Sequence, residues 1–232
     1  MNFDWESLTS GVWRVRLPFL DVTVGLVAGD TEVLLVDAGT TLAEARAIDA
    51  DVHALTGRSV GQIVLTHNHF DHLLGSAHFT GVQVHCAPEV AETIANGRAG
   101  LRAEAIEYGA DPEEVDRTIL ALRPSIHETR GMTLHIGGRA VTVSHPGPGH
   151  TDHDLIVVVH GRRTVVFCGD LVEESGDPAI DAHSDVAAWP DTLEVMLATA
   201  GPEAVLVPGH GAVVDSSFVR LQQQWLRARA IS

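Results

Sequence analysis

Short apolar runs at residues 12–17, 23–28 and 32–36, with Gly29-Asp30 turning the chain between the last two, open the sequence. Runs of this length bounded by turn residues predict a β-meander. The period then changes. Leu42, Ala45, Ile48, Val52 and Leu55 recur at helical spacing over 41–55, and Gly57 supplies a stop, so an amphipathic helix packs back on the sheet. Residues 61–66 read as a buried strand, Ile63-Val64-Leu65, that runs directly into His67. A further strand follows at 82–85, and Pro88 opens a helix through Ile94, proline being tolerated in a first helical turn.

Residues 97–125 differ in character: they are charged, helical by propensity, and carry Gly97, Gly100 and Gly109. This stretch reads as a helical insertion outside the central sheet, either a lid hinged at those glycines or a contact in a homodimer. A second β-rich half begins near Met132, with strands at 133–136, 139–144, 155–160 and 164–167. It ends in a helix over 186–198, a short strand at 204–207, and a terminal helix over 218–228 with Phe218, Leu221 and Trp225 on one face. Two successive halves of strands followed by a helix predict an α+β fold. Its two sheets pack face to face with helices outside, in one domain over residues 1–232.

Composition narrows the field of partners. A chain of 232 residues with 45% hydrophobic content can bury a substantial core. No apolar run approaches the roughly 20 residues of a membrane span, and the first residues lack the basic start and apolar stretch of a signal peptide. A cytoplasmic location is the expectation. Fifteen Lys plus Arg against 31 Asp plus Glu leaves a formal charge of −16, which disfavours nucleic acid and anionic membranes and favours a small-molecule substrate. Cys86 and Cys168 are a poor disulfide framework and are expected to be reduced.

The chemistry concentrates in Thr66-His67-Asn68-His69-Phe70-Asp71-His72, just beyond a buried strand. Positions 67, 69 and 71 project to one side of an extended chain, whereas 71 and 72 diverge, a geometry suited to two metals. Imidazoles with carboxylates suit zinc, and are compatible with iron or manganese. Further candidates stand at equivalent strand-to-loop junctions, each beside a glycine: His150 after Gly149, Asp170 after Gly169, and His210 after Gly209. Glycine permits the close backbone approach of a ligand-bearing turn. A lone histidine is usually structural, but His153, which closely follows the His150 loop, and His183, in the loop after Asp170, are each placed to reach a substrate or support a ligand. Cys168 reads as a small buried residue. Asp37 either supports a ligand histidine or caps a turn.

These motifs resemble the metallo-β-lactamase superfamily in type and order. His67-x-His69-x-Asp71-His72 is similar to its signature, and His150, Asp170 and His210 follow in the order of its later ligands. Asp37-Ala38-Gly39 resembles its upstream turn. The resemblance implies an αββα sandwich with the metals in a groove at one edge of the paired sheets. It further implies His67, His69 and His150 around a first zinc, Asp71, His72 and His210 around a second, and Asp170 as the bridge. A hydroxide shared between the two zinc ions would attack a carbonyl centre in a thioester, ester, lactone or amide. Asp71 would orient it and shuttle a proton.

Three alternatives stay open: a true β-lactamase, an iron-dependent sulfur dioxygenase, and a non-catalytic metal-binding protein. The best-known β-lactamases of this fold resemble the chain in the first motif but carry cysteine or serine where Asp170 stands. The loop with Phe19 and Leu20 is expected to offer an apolar lip to the groove.

Overall fold

Residues 1–230 are described by a computed structural model. The first sheet holds β1 (Glu6–Thr9), β2 (Val12–Arg16), β3 (Thr23–Ala28), β4 (Val33–Val36), β5 (Gln62–Val64), β6 (Gln83–Cys86) and β7 (Ser125–Glu128), in that spatial order. Pairing is antiparallel from β1 to β4 and parallel from β4 to β7. Parallel neighbours require crossovers. These are α1 (Leu42–Thr56), then α2 (Phe70–Leu73) with a 3-10 turn, then α3 (Pro88–Asn96), α4 (Arg98–Glu107) and α5 (Pro112–Ala121). The second sheet runs β12-β11-β10-β9-β8, built from β8 (Gly131–Ile136), β9 (Arg139–Ser144), β10 (Ile156–Val159), β11 (Val165–Glu173) and β12 (Val205–His210). Helix α6 (Trp189–Ala200) crosses between β11 and β12, and α7 (Ser216–Ala230) follows.

Strand periodicity assigns side chains to layers. On β10 and β11, Val157, Val159, Val165 and Phe167 belong to the main core, whereas Ile156, Val158, Val166 and Cys168 pack with Trp189, Leu193 and Met196 of α6 and Val219 and Leu226 of α7. The second sheet is therefore buried on both faces. That is why its central strands read as continuous apolar runs rather than clean alternation. The expected α+β sandwich is what forms, with β1 and β7 as additional edge strands. Helix α1 starts on a capping box, Thr41 accepting from Glu44 N at 3.2 Å while the Glu44 carboxylate accepts from Thr41 N at 3.1 Å.

The 97–125 segment is helical, as its composition indicates, but it is fastened to the body. Leu101, Ala105 and Val115 are buried in the main core. Its end also departs from expectation: residues from Ser125 onward pair with β6 as an edge strand of the first sheet. That strand is short and polar, so it carries no alternation to betray it.

Cys168 sits under α6, as alternation predicts, and both cysteines are fully buried and unpaired. Burial pushes each thiol up to about 12. Because only the thiolate reacts, a disulfide-exchange reagent at pH 8 should label neither cysteine in the native protein and both after denaturation. Rapid labelling of a native cysteine would contradict this packing.

Candidate metal centre

The ends of β5 and β12 and an inner position of β11 bring the sequence-predicted residues together, Asp170 lying inside a strand that runs on to Glu173 rather than at a strand-to-loop junction. Beyond β5 the chain delivers His67, then His69 at the start of α2, whose first turn carries Asp71 and His72. Asp170 lies within β11, and His210 is the last residue of β12. His150 comes from the loop between β9 and β10. Two groups result, His67, His69, His150 and Asp170 in one and Asp71, His72 and His210 in the other, each with donor atoms within 4.8 Å of one another. His67, His72 and His150 are at most 1% exposed. Gly209 is what lets β12 pass: a β-carbon there would lie 1.8 Å from Asp170 Oδ1.

One ring nitrogen of most of these histidines is already engaged, which fixes the other inward. His72 Nδ1 meets Asp37 Oδ2 at 2.9 Å, His150 Nδ1 meets Ala179 O at 3.1 Å, and His210 Nδ1 meets Leu20 O at 2.8 Å. His67 Nδ1 lies 2.9 Å from Thr66 Oγ1, whose hydroxyl donates to Asp37 Oδ2 at 2.9 Å. His69 is turned the other way: its Nε2 faces Asp181 Oδ2 at 3.3 Å, leaving Nδ1 toward the centre. Outer partners that orient ligand imidazoles in this manner are typical of metal sites.

The inward atoms fit a cation better than they fit one another. His69 Nδ1 and His150 Nε2 face at 2.9 Å, and His72 Nε2 and His210 Nε2 at 3.3 Å. His67 Nε2 and Asp170 Oδ1 are buried without a hydrogen-bond partner. Asp170 Oδ1 lies 3.1 Å from His72 Nε2, but that contact lacks hydrogen-bond alignment. The other oxygen, Oδ2, lies 3.3 Å from His210, 3.5 Å from His150 and 3.6 Å from His67. The carboxylate thus touches imidazoles of both groups. Asp71 Oδ2 stands 3.5 Å from His210 Nε2 and 3.7 Å from His72 Nε2.

Electrostatics divides the histidines. Burial lowers His67 far below the ordinary imidazole value and takes His150 down to about 4, so both nitrogens are free bases able to bind metal. Burial also acts on His72 and His210, but Asp170 leads the carboxylates that overcome it, raising His72 well above its ordinary value and His210 to about 9. Burial disfavours the charged form of Asp170, yet the imidazoles of His72, His210 and His67 hold it well below the usual carboxylate range. Converging donors kept apolar-side and stripped of water are costly unless a ligand uses them.

A groove of about 260 Å³ opens above the centre, with Leu20, Phe70, Glu104, Tyr108 and Ile180 among its walls. Leu20 lines it as expected, whereas Phe19 does not and instead packs against the main core. Sequence reasoning missed Asp181 and Glu104, neither of which sits in a spacing motif, and gave no role to Thr66 at the head of the histidine motif. Asp37, left open between two roles, is the acceptor for His72 and Thr66, and its φ of 61° places it in the left-handed region. His153 is buried beside Asp152 in a separate pocket, and His183 lies on the exposed loop flanking it.

Comparison with known proteins agrees with this geometry. The family model described as "Metallo-beta-lactamase superfamily" matches residues 17–210. Similar to the chain is the acyl-coenzyme A thioesterase MBLAC2 of Homo sapiens, 26% identical over 88% of this chain and 80% of that protein. A hydroxyacylglutathione hydrolase of Polaromonas sp. is 25% identical over 75% of this chain and 59% of that protein. Among solved structures, a metallo-beta-lactamase from Pontibacter korlensis superposes with a TM-score of 0.74 at 21% identity, covering 97% of this chain and 99% of that one.

Proposed function

This chain belongs to the metallo-β-lactamase superfamily, and we propose that it is a dinuclear zinc hydrolase that cleaves acyl substrates, thioesters first among them. The observation that carries the reading is Asp170, whose two oxygens reach imidazoles of both donor groups at the floor of an open groove. His67, His69 and His150 would hold one ion and Asp71, His72 and His210 the other, with Asp170 shared. Such ions, when bound, acidify water and polarise a carbonyl.

The chain's own residues do the rest. The groove walls bind and orient the acyl group, excluding bulk water from the carbonyl. Hydrolysis adds water's oxygen to the acyl carbon and breaks the carbon–sulfur bond, giving a carboxylic acid and a thiol. The proton that the departing thiolate needs is within the reach of Asp71, a buried carboxylate that also lines the groove. Thioesters are favoured over lactones, esters and amides because the names of both relatives denote hydrolysis of an acyl group carried on a thiol.

Protein purified without chelator and supplemented with zinc should contain about two zinc ions per chain, since seven donors exceed the needs of one tetrahedral ion. It should turn over thioesters faster than β-lactams, lactones or phosphodiesters in a panel. One ion per chain, or an iron centre that consumes oxygen, would sink the dinuclear zinc reading. A preference for β-lactams would sink the substrate assignment.

A further inference from the structure

The wall of the groove carries a charge pattern that the metal centre does not explain. Glu104 of α4 lines both the groove and an adjoining polar pocket, and its carboxylate makes no hydrogen bond or ion pair with any described residue. Beside it, one turn along α4, the Tyr108 ring is 57% exposed and is backed by the buried Phe70 ring at 5.7 Å. Asp181, which faces His69 at 3.3 Å, lines the same groove. No arginine lines either cavity, and the chain contains no lysine at all. The nearest cation along α4, Arg102, is tied to Asp116 at 2.5 Å.

The positive neighbours of Glu104 are the imidazoles of His69 and His183, neither of which hydrogen-bonds to it, and a half-buried carboxylate without a bonded counter-ion costs free energy that a ligand can recover. An exposed aromatic face next to such a carboxylate is the pairing that receives an ammonium group, through ring quadrupole and Coulomb attraction together. The aromatic face separates this from an acidic patch alone, because Tyr108 packs on Phe70, stays exposed and lines the same groove as Glu104. We propose that the groove takes substrates whose arm beyond the reacting carbonyl carries an ammonium group, with Glu104 as counter-ion and Tyr108 as aromatic face, and disfavours polyanionic arms. The proposal rests on the acyl-hydrolase reading above. It departs from the named relatives, since the phosphates of coenzyme A and the carboxylates of glutathione would meet Glu104 and Asp181 with like charge.

Three thioesters with one acyl group separate the possibilities: butyrylthiocholine, S-butyryl-N-acetylcysteamine and butyryl-coenzyme A, compared at low salt with zinc-replete enzyme. We expect kcat/KM to fall in that order, with the cationic substrate at least about 10-fold above the neutral one, roughly a 1.4 kcal/mol preference. Glu104→Gln should shrink that ratio at least about fivefold, mainly through KM, with zinc content at the wild-type level. Glu107→Gln removes the same charge from an exposed position on α4 outside the groove, and should leave the ratio within about twofold if the effect is local rather than a whole-molecule field. Binding of phenyltrimethylammonium, measured by calorimetry, should weaken at least about fivefold in Glu104→Gln, and this readout does not depend on turnover. If none of the thioesters is cleaved but phenyltrimethylammonium binds through Glu104, the hydrolase reading fails while the cation site stands. Equal or better cleavage of butyryl-coenzyme A, or ammonium binding indifferent to Glu104→Gln, would overturn the proposal.

Discussion

Asp170→Ala is expected to lower the hydrolytic rate by roughly 10³-fold or more, equivalent to about 4 kcal/mol of barrier, and to leave less than one zinc per chain. Asp170 reaches His72, His210, His150 and His67 at 3.1 to 3.6 Å, so its loss removes a donor from both groups at once. It also removes the negative charge that would offset the two proposed ions. His210→Ala provides the comparison. It deletes one terminal donor, at 11% side-chain exposure the most open of the second group, and should retain the first ion with a smaller rate loss. Elemental analysis and steady-state kinetics on the two variants decide the matter. Two zinc ions retained in Asp170→Ala would show that this carboxylate does not bridge.

All seven candidate donors stood in the sequence because metal ligation writes itself locally. The candidate donors come from few residue types, here His and Asp, most of them stand at or just past the ends of buried strands, and glycine clears space for them, as Gly209 does for Asp170. The sandwich was legible for a related reason: short apolar runs bounded by turns along β2 and β3 and a helical period along α1 leave distinct patterns. What was hidden depends on distant parts of the chain. The partners that aim His150 and His210 are backbone carbonyls, of Ala179 and Leu20, and every residue type has one. Asp181 is aimed at His69 by a loop whose path is set by Ser184 donating to His150 O at 2.9 Å and Asp185 N donating to Gly149 O at 2.9 Å. Edge strand β1 is anchored from far along the chain, where Asp51 accepts from the backbone N–H groups of Asn2 and Phe3 and from the Trp5 indole. The helices at 97–125 read as an appendage because their outward faces are charged. Their inner faces, Leu101, Ala105 and Val115, were too sparse to announce a place in the core.

The second large effect is expected at a residue that touches no substrate. Asp37→Ala should weaken zinc binding roughly 10–100-fold, the usual consequence of losing an outer partner of ligand histidines. Asp37 is 3% exposed and serves three donors or donor-capable groups. Its Oδ1 accepts from Thr66 N at 2.8 Å, and its Oδ2 meets both Thr66 Oγ1 and His72 Nδ1 at 2.9 Å. Through His72 it governs one donor group, and through Thr66, adjacent to His67 Nδ1, it governs the other. Alanine strands those groups, which costs about 2 kcal/mol in the metal-free protein and should lower the melting temperature by roughly 4–8 °C for a chain of this length. Asp37→Asn separates the two effects. The amide keeps the volume and one acceptor oxygen but must present its NH₂ where a second acceptor stood, so stability should recover more than metal affinity does. Competition against a chromogenic chelator measures the affinity, and calorimetry of the apo form measures the stability. Asp37→Ala protein that holds zinc as tightly as wild type would reduce Asp37 to a turn residue, its left-handed φ of 61° being then the whole of its contribution.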